Sequence, residues 1–149
     1  MPGGRKQRVS LVTLGVADLA RARTFYEAWG WIPHYDSQEI VFFQGNGLVI
    51  ALFGLEDLAA DQARPHAVLG TGAMTLAQNY ANEVEVDERF RSALAAGATM
   101  LKRPQKTDWG GYSGYVADPD GHVWELAVNG FWDLEDNGAV TMPDGPVGA

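Results

Sequence analysis

The chain has 149 residues, no cysteine and a formal net charge of −8 at neutral pH. The lack of cysteine excludes disulfides, thiol nucleophiles and thiolate metal sites. The acidic balance argues against nucleic acid as a partner, because phosphate binding requires a basic face on the folded domain. No apolar run approaches the roughly 18 residues that a membrane helix requires, and no signal-peptide apolar region stands at the start of the chain. We therefore expect a cytoplasmic globular protein without a membrane partner.

The first predicted elements form a module, residues 9–53, behind a Gly-rich leader, residues 1–8, that we expect to be flexible. A β-branched apolar run predicts a strand at 9–16, and Asp18 follows it at the position of a helix N-cap. Apolar residues then recur at helical spacing, so an amphipathic helix is predicted at 18–29. Three short strands complete the order β-α-β-β-β, at residues 31–35, 40–44 and 48–53.

The same order returns after a connection, residues 54–73, and forms a second module, residues 74–129. A helix is predicted at 85–96, because Glu85 lies 67 positions after Asp18 and an apolar stripe follows it. A strand precedes this helix and three strands follow it, at residues 99–103, 112–117 and 122–128. The predicted fold class is α+β, with two repeated modules in one chain.

The turn between the last two predicted strands carries the most specific signature. Residues 118–121 read Asp-Pro-Asp-Gly, which predicts a tight hairpin turn because Pro presets one dihedral angle and Gly supplies a positive φ. Together with His122, Glu125 and Leu126, this turn resembles the C-terminal end of proteins in the vicinal oxygen chelate superfamily, which includes glyoxalase I, extradiol dioxygenases and bleomycin resistance proteins. The resemblance covers roughly residues 9–130. It implies paired modules whose mixed sheets curl around a ligand cavity.

Metal-binding members of that superfamily take ligands from the first and last strands of each module. The resemblance places Leu11 and Ala51 at these positions in the first module, and Gln78 and Glu125 in the second. Leu11 and Ala51 have no donor atom, whereas a divalent metal in an open catalytic site usually takes about three protein ligands. We therefore expect no cofactor and no tightly held divalent metal.

The candidate ligand-binding residues are polar and aromatic side chains expected around one cavity. Glu125 lies among apolar neighbours on its strand, and Gln78 and Tyr80 share one alternating set on the first strand of the second module. An inserted loop contributes Trp109, and Tyr112 follows it. Long loops on a compact domain often carry binding residues.

A tail, residues 130–149, follows the second module. Its aromatic pair, Phe131 and Trp132, is expected to dock onto the body of the protein or onto a second subunit. Residues 142–149 are rich in Pro and Gly and are expected to be loosely held. Homodimers are common in the superfamily, which makes a second copy of the chain a candidate partner.

Two functions of different classes follow from the resemblance. The first is a metal-independent protein similar to the bleomycin resistance proteins, with an acidic, aromatic-lined cavity that takes a planar or cationic small molecule. The second is an enzyme of the glyoxalase or dioxygenase type in which Glu125 is a metal ligand or general base, and Gln78 or Tyr112 stabilises a developing oxyanion. We favour the binding function and leave catalysis open, because one scaffold hosts both.

Overall fold

The computed structural model describes residues 7–143 and confirms the predicted α+β class, with two β-α-β-β-β modules that each form a four-stranded mixed sheet. The predicted flexible leader, residues 1–8, and the predicted loosely held end, residues 142–149, lie largely outside the described residues. None of the helices within residues 7–143 is long and apolar enough to cross a lipid bilayer.

In the sheet of the first module, the first strand lies at one edge next to the last strand, in the order β1-β4-β3-β2. Its elements are β1 (Leu11–Val16), α1 (Leu19–Trp29), β2 (Pro33–Asp36), β3 (Ile40–Gln44) and β4 (Val49–Gly54). As predicted, Asp18 is the N-cap of α1, and its carboxylate accepts the Arg21 amide N–H at 3.0 Å. The helix ends at Gly30, whose φ of 109° is the left-handed conformation that glycine adopts without strain.

The connection contains a helix that the sequence reasoning missed, α2 (Leu55–Asp61). Its leucines pack on β1 at Gly15, where an added Cβ would lie 2.9 Å from the Leu55 side chain and 3.1 Å from that of Leu58. Glycine at this position therefore allows α2 to approach the sheet closely.

The second module repeats the arrangement in the order β5-β8-β7-β6. Its elements are β5 (Thr75–Asn79), α3 (Glu83–Ala96), β6 (Thr99–Lys106), β7 (Tyr112–Ala117) and β8 (Val123–Val128). The helix begins before the predicted Glu85 because Asn82 is its N-cap, with Asn82 Oδ1 accepting the Glu85 N–H at 2.9 Å. Consequently α3 has 14 residues where α1 has 11. The tail adds a short hairpin of β9 (Asp133–Leu134) and β10 (Val140–Thr141).

An aromatic cluster packs the two modules together through the helix-facing sides of their sheets. Trp124 of β8 meets Trp29 of α1 edge to face, with ring centroids 5.2 Å apart. Trp124 also lies 6.1 Å from Tyr26 and 5.8 Å from Trp31. Aromatic pairs at such distances stabilise a core beyond the apolar area that they bury.

A buried polar network, made of Tyr26, Asp118 and Trp124, joins the modules at the same place. The Tyr26 hydroxyl donates to Asp118 Oδ2 at 2.6 Å and accepts the Trp124 Nε1–H at 3.0 Å. Asp118 is only 3% exposed, and its Oδ1 accepts the backbone N–H groups of Asp120 and His122. The inter-module network therefore satisfies a buried carboxylate that would otherwise destabilise the fold.

The predicted turn at residues 118–121 also contacts the first module directly. Asp120 Oδ1 accepts the Ala17 amide N–H at 2.8 Å and the Arg21 guanidinium at 3.0 Å. The His122 ring lies 2.7 Å, Nε2 to oxygen, from the Gly15 carbonyl. The motif thus acts in the structure as an inter-module connection as well as a hairpin turn.

Candidate functional site

Glu125 lies on the face of the second sheet that points away from α3. Its strand neighbours Trp124 and Leu126 are buried in the helix-facing core, whereas Glu125 itself is half-buried. Tyr115 is its partner across the β7–β8 ladder, and the Tyr115 hydroxyl donates to Glu125 Oε2 at 3.2 Å. Burial, and then the negative charge of Glu125, raise the pKa of the Tyr115 phenol.

The structure places Gln78 on the opposite face of the sheet from Glu125, which corrects the prediction that the two share a cavity. Ala77 is paired with Glu125, and Gln78 is paired with Leu126. The counterpart of Leu11 is Thr75 rather than Gln78, because Leu11 pairs with β4 at the position where Thr75 pairs with β8.

Tyr112 was also expected to face Glu125, and it too lies on the other side. Its hydroxyl donates to Asp87 Oδ1 of α3 at 2.7 Å. This hydrogen bond stabilises the neutral phenol and, with burial and the charge of Asp87, raises the pKa of Tyr112 to about 12. Trp109 stands in the turn before β7, 48% exposed, with its ring against Gly111. The five predicted binding residues are therefore not all brought together, and their roles in binding remain predictions.

The donor set around Glu125 does not fit a divalent metal. The side chains nearest to it across the ladders, Ala77 and Tyr115, offer no carboxylate or imidazole. Thr13 and Ala51 occupy the corresponding places in the first module, because Thr13 pairs with Ala51 as Ala77 pairs with Glu125. Within residues 7–143, no three His, Asp or Glu side chains are grouped as metal ligands.

Gln78 and Tyr80 instead line a cavity of about 540 Å³ between the two modules, which we call the seam cavity. Its aromatic residues come from distant parts of the chain. They are Trp31 after α1, Tyr80 after β5, Trp124 in β8, and Trp132 in the tail. Asn46, Asn79 and Asn137 supply further polar groups. The predicted docking of Trp132 onto the body of the protein places it in this wall.

A smaller cavity of about 270 Å³ adjoins the seam cavity, since Trp31 and Gln78 line both. Arg89 of α3 lines this second space and donates to the Trp29 carbonyl at 2.6 Å. The Tyr80 hydroxyl donates to Gln78 Oε1 and also hydrogen-bonds with Arg89. Burial raises the pKa of Tyr80, and the Arg89 guanidinium opposes that rise. We call this space the Arg89 cavity.

Sequence reasoning missed Trp31, Trp124 and Arg89 as candidate site residues. Trp31 and Trp124 carry the signal of ordinary core aromatics, which they also are. Arg89 follows Glu85 by one helical turn and therefore looks like part of a charged helix surface. The Glu85 carboxylate, however, accepts the Ala81 amide N–H at 3.1 Å.

A third cavity of about 370 Å³ lies at the other end of the seam, beside α2 and His122.

Comparisons with known proteins agree with this fold. The family model of the Glyoxalase/Bleomycin resistance protein/Dioxygenase superfamily matches residues 8–126. A glyoxalase-related enzyme from Fulvimarina pelagi is 38% identical, with a TM-score of 0.86 over 93% of this chain and 100% of that chain. A lactoylglutathione lyase from Agrobacterium tumefaciens is 24% identical, with a TM-score of 0.70 over 88% and 100%, which shows the fold alone.

Similarity to curated proteins is confined to one segment. An uncharacterized protein from Mycobacterium tuberculosis is 48% identical over 42 residues, and the match covers 28% of this chain and 25% of that protein. The similarity therefore extends over about a quarter of the relative's length.

Proposed function

The chain belongs to the Glyoxalase/Bleomycin resistance protein/Dioxygenase superfamily, and on this premise we propose that it binds a planar small molecule, without a metal, in the seam cavity. The observation that carries the proposal is the aromatic wall of that cavity. Trp31, Trp124 and Trp132 line it together with Tyr80, in a volume of about 540 Å³. Small-molecule sites in proteins typically occupy roughly 300 to 1,000 Å³ and combine apolar walls with a few polar groups.

The aromatic side chains that line the seam cavity favour a planar ligand. Aromatic rings prefer offset-stacked or edge-to-face contacts, worth roughly 0.5 to 1.5 kcal/mol per pair beyond apolar burial. The Gln78 amide adds direction, because Tyr80 fixes its oxygen by a hydrogen bond. The Gln78 amide nitrogen, which donates to no other group of the described residues, can then bind an acceptor on the ligand.

Binding can be followed by the fluorescence of the cavity tryptophans, with 2-naphthamide as a neutral planar probe. We expect saturable quenching in the wild-type protein. Trp132→Ala should weaken binding by about tenfold, because it removes one aromatic side chain from the wall of the cavity. Trp109→Ala is the matched control, because Trp109 is an exposed tryptophan that does not line the seam cavity. Its binding constant should equal that of the wild type.

Two results would contradict the proposal. One is the absence of saturable quenching up to the solubility limit of the probe. The other is an equal loss of affinity in Trp109→Ala and Trp132→Ala, which would show that quenching does not report on the seam cavity.

A second candidate function is acid–base catalysis on the other face of the second sheet. The hydrogen bond between Tyr115 and Glu125 favours it, because a carboxylate and a phenol held together can move a proton. Gln78 and Tyr112, the groups expected to stabilise an oxyanion, point to the opposite face. Glu125→Gln separates the two functions. If the seam cavity is the site, Glu125→Gln should bind naphthamide as the wild type does. If the protein is an acid–base enzyme, Glu125→Gln should lower the kcat of its reaction by about a hundredfold or more.

A further inference from the structure

The seam cavity and the Arg89 cavity contain a single charged side chain among the described residues, the guanidinium of Arg89. The chain has 19 acidic residues and 11 basic ones, yet no carboxylate lines either space within residues 7–143. We propose that the ligand is a planar aromatic acid, whose rings lie against the tryptophans and whose carboxylate is bound by Arg89. This inference rests on the proposed function and names its ligand class.

Arg89 has hydrogen-bonding capacity to spare for such a ligand. A guanidinium carries five N–H donors. One is used by the Trp29 carbonyl, and another contact is made with the Tyr80 hydroxyl. The ion pairs of the described residues join other groups, Arg21 with Asp120, Arg23 with Glu27 and Asp36, and Lys106 with Glu83. Arg89 is thus a half-buried cation without a carboxylate partner in residues 7–143.

The Gln78 amide at this junction also presents a donor. The Tyr80 hydroxyl donates a hydrogen bond to Gln78 Oε1. The amide nitrogen of Gln78 is then free to donate to a ligand. An acceptor-rich group such as a carboxylate satisfies both Arg89 and Gln78, and hydrogen bonds between charged partners are about twice as strong as neutral ones. A cationic ligand would be repelled by the Arg89 charge, and no carboxylate of residues 7–143 lines the two cavities to bind it. The cationic ligand considered from the acidic composition is therefore disfavoured in this cavity.

The two spaces are connected in a way that suits one molecule. Trp31 and Gln78 line both, so a ring against Trp31 in the seam cavity is adjacent to the Arg89 cavity. A bicyclic ring with a carboxylate on its edge could place the ring in the seam cavity and the carboxylate in the Arg89 cavity. The Arg89 charge and the tryptophan wall together favour an aromatic carboxylic acid.

The test compares 2-naphthoate with 2-naphthamide, which have the same ring and nearly the same shape but differ in charge. We expect the wild-type protein to bind 2-naphthoate about ten- to a hundredfold more tightly, as a charge-assisted hydrogen-bonded pair allows. Arg89→Gln should abolish this preference, so that the two probes bind with similar affinity. Arg91→Gln is the control, because Arg91 is an exposed arginine of the same helix, and the preference should persist in that variant.

Arg89 also holds the Trp29 carbonyl, so Arg89→Gln can lose stability. A measurement on the wild-type protein avoids this difficulty, namely the ¹⁵N and ¹H chemical shifts of the Arg89 side-chain N–H groups during titration with each probe. We expect 2-naphthoate to shift these resonances and 2-naphthamide to leave them nearly in place. Equal affinity for the two probes, or no shift with bound naphthoate, would overturn the inference while the binding function stands. Failure of both probes to quench would overturn the proposed function and this inference together.

Discussion

Replacing Tyr26 by Phe tests how strongly the inter-module network holds the fold. Tyr26 is fully buried, and its hydroxyl is the donor to Asp118 Oδ2 and the acceptor for Trp124 Nε1. A hydrogen bond to a charged group contributes about 1.5 to 3 kcal/mol, and a buried donor left without an acceptor costs about 1 to 3 kcal/mol. We therefore expect the free energy of unfolding to fall by roughly 3 to 5 kcal/mol, with a decrease in Tm of about 10 °C.

The assay is urea unfolding together with thermal denaturation, and Tyr35→Phe is the control. Tyr35 is 60% exposed, so loss of its hydroxyl should change stability by less than about 0.5 kcal/mol. A destabilisation by Tyr26→Phe that is no larger than that of the control would refute the reasoning. It would mean that Asp118 and Trp124 find other partners when the hydroxyl is removed.

The same residue predicts a pH dependence. Burial, together with the charge of Asp118, raises the pKa of Tyr26 far above that of an ordinary phenol. The folded protein therefore keeps the Tyr26 proton at a pH where the unfolded chain, with a tyrosine pKa of about 10, has lost it. Stability from this source is complete below about pH 10 and falls as the pH rises, by up to about 1.4 kcal/mol per pH unit. Tyr26→Phe should flatten this alkaline decline.

Three other predictions concern the helix caps, Tyr112 and metal. Asp18→Ala and Asn82→Ala should each lower the free energy of unfolding by about 1 kcal/mol in urea titrations, and wild-type stability in either variant would contradict the assigned cap. Asp87→Asn should lower the pKa of Tyr112 from about 12 toward the ordinary value of about 10, as followed by ultraviolet titration with Tyr112→Phe as the subtraction control. Dialysis against a chelator should change neither Tm nor naphthamide binding, whereas about one metal ion per chain and loss of binding on chelation would argue for a metal protein.

The elements that could be predicted from the sequence are those whose signals are local. Asp18 and Gly30 mark the ends of α1 by their own conformations and side chains. The turn at residues 118–121 is specified by its proline and glycine. In contrast, α2 has only seven residues and no side-chain N-cap, so its sequence resembles an irregular connection.

The face on which Gln78 lies could not be predicted, because it depends on the length of a helix. Counting back from the helix ends Gly30 and Gly97 aligns Gln78 with Leu11. Since α3 is longer than α1 by three residues at its start, the true counterpart is Thr75. An odd shift moves every side chain of a strand to the opposite face of its sheet. Because the Asn82 cap was not recognised, the prediction placed Gln78 on the same face as Glu125, whereas it lies on the opposite face.

The cavity predicted from the sequence contained Glu125, whereas the seam cavity between the modules is lined by the other side of that strand. Its walls require Trp31, Trp124 and Trp132, which are distant in sequence and come together only after both modules have packed. Trp124 alternates with Glu125 along β8, so the apolar side of that strand, rather than its carboxylate, contributes to the cavity. Periodicity identifies both faces of a strand but does not indicate which of them a ligand contacts.

The turn between β3 and β4 and the turn between β7 and β8 should respond differently to cleavage of the backbone. At residues 45–48 the turn is largely exposed, and a Cβ on Gly47 would meet nothing within 4 Å. At residues 118–121, a Cβ on Gly121 would lie 2.8 Å from Thr71 Oγ1, and Asp120 binds Ala17 of the other module. A proteolytic nick in the first turn would open one hairpin. A nick in the second would also disturb the contacts of that turn with the first module, next to Trp124 in the wall of the seam cavity.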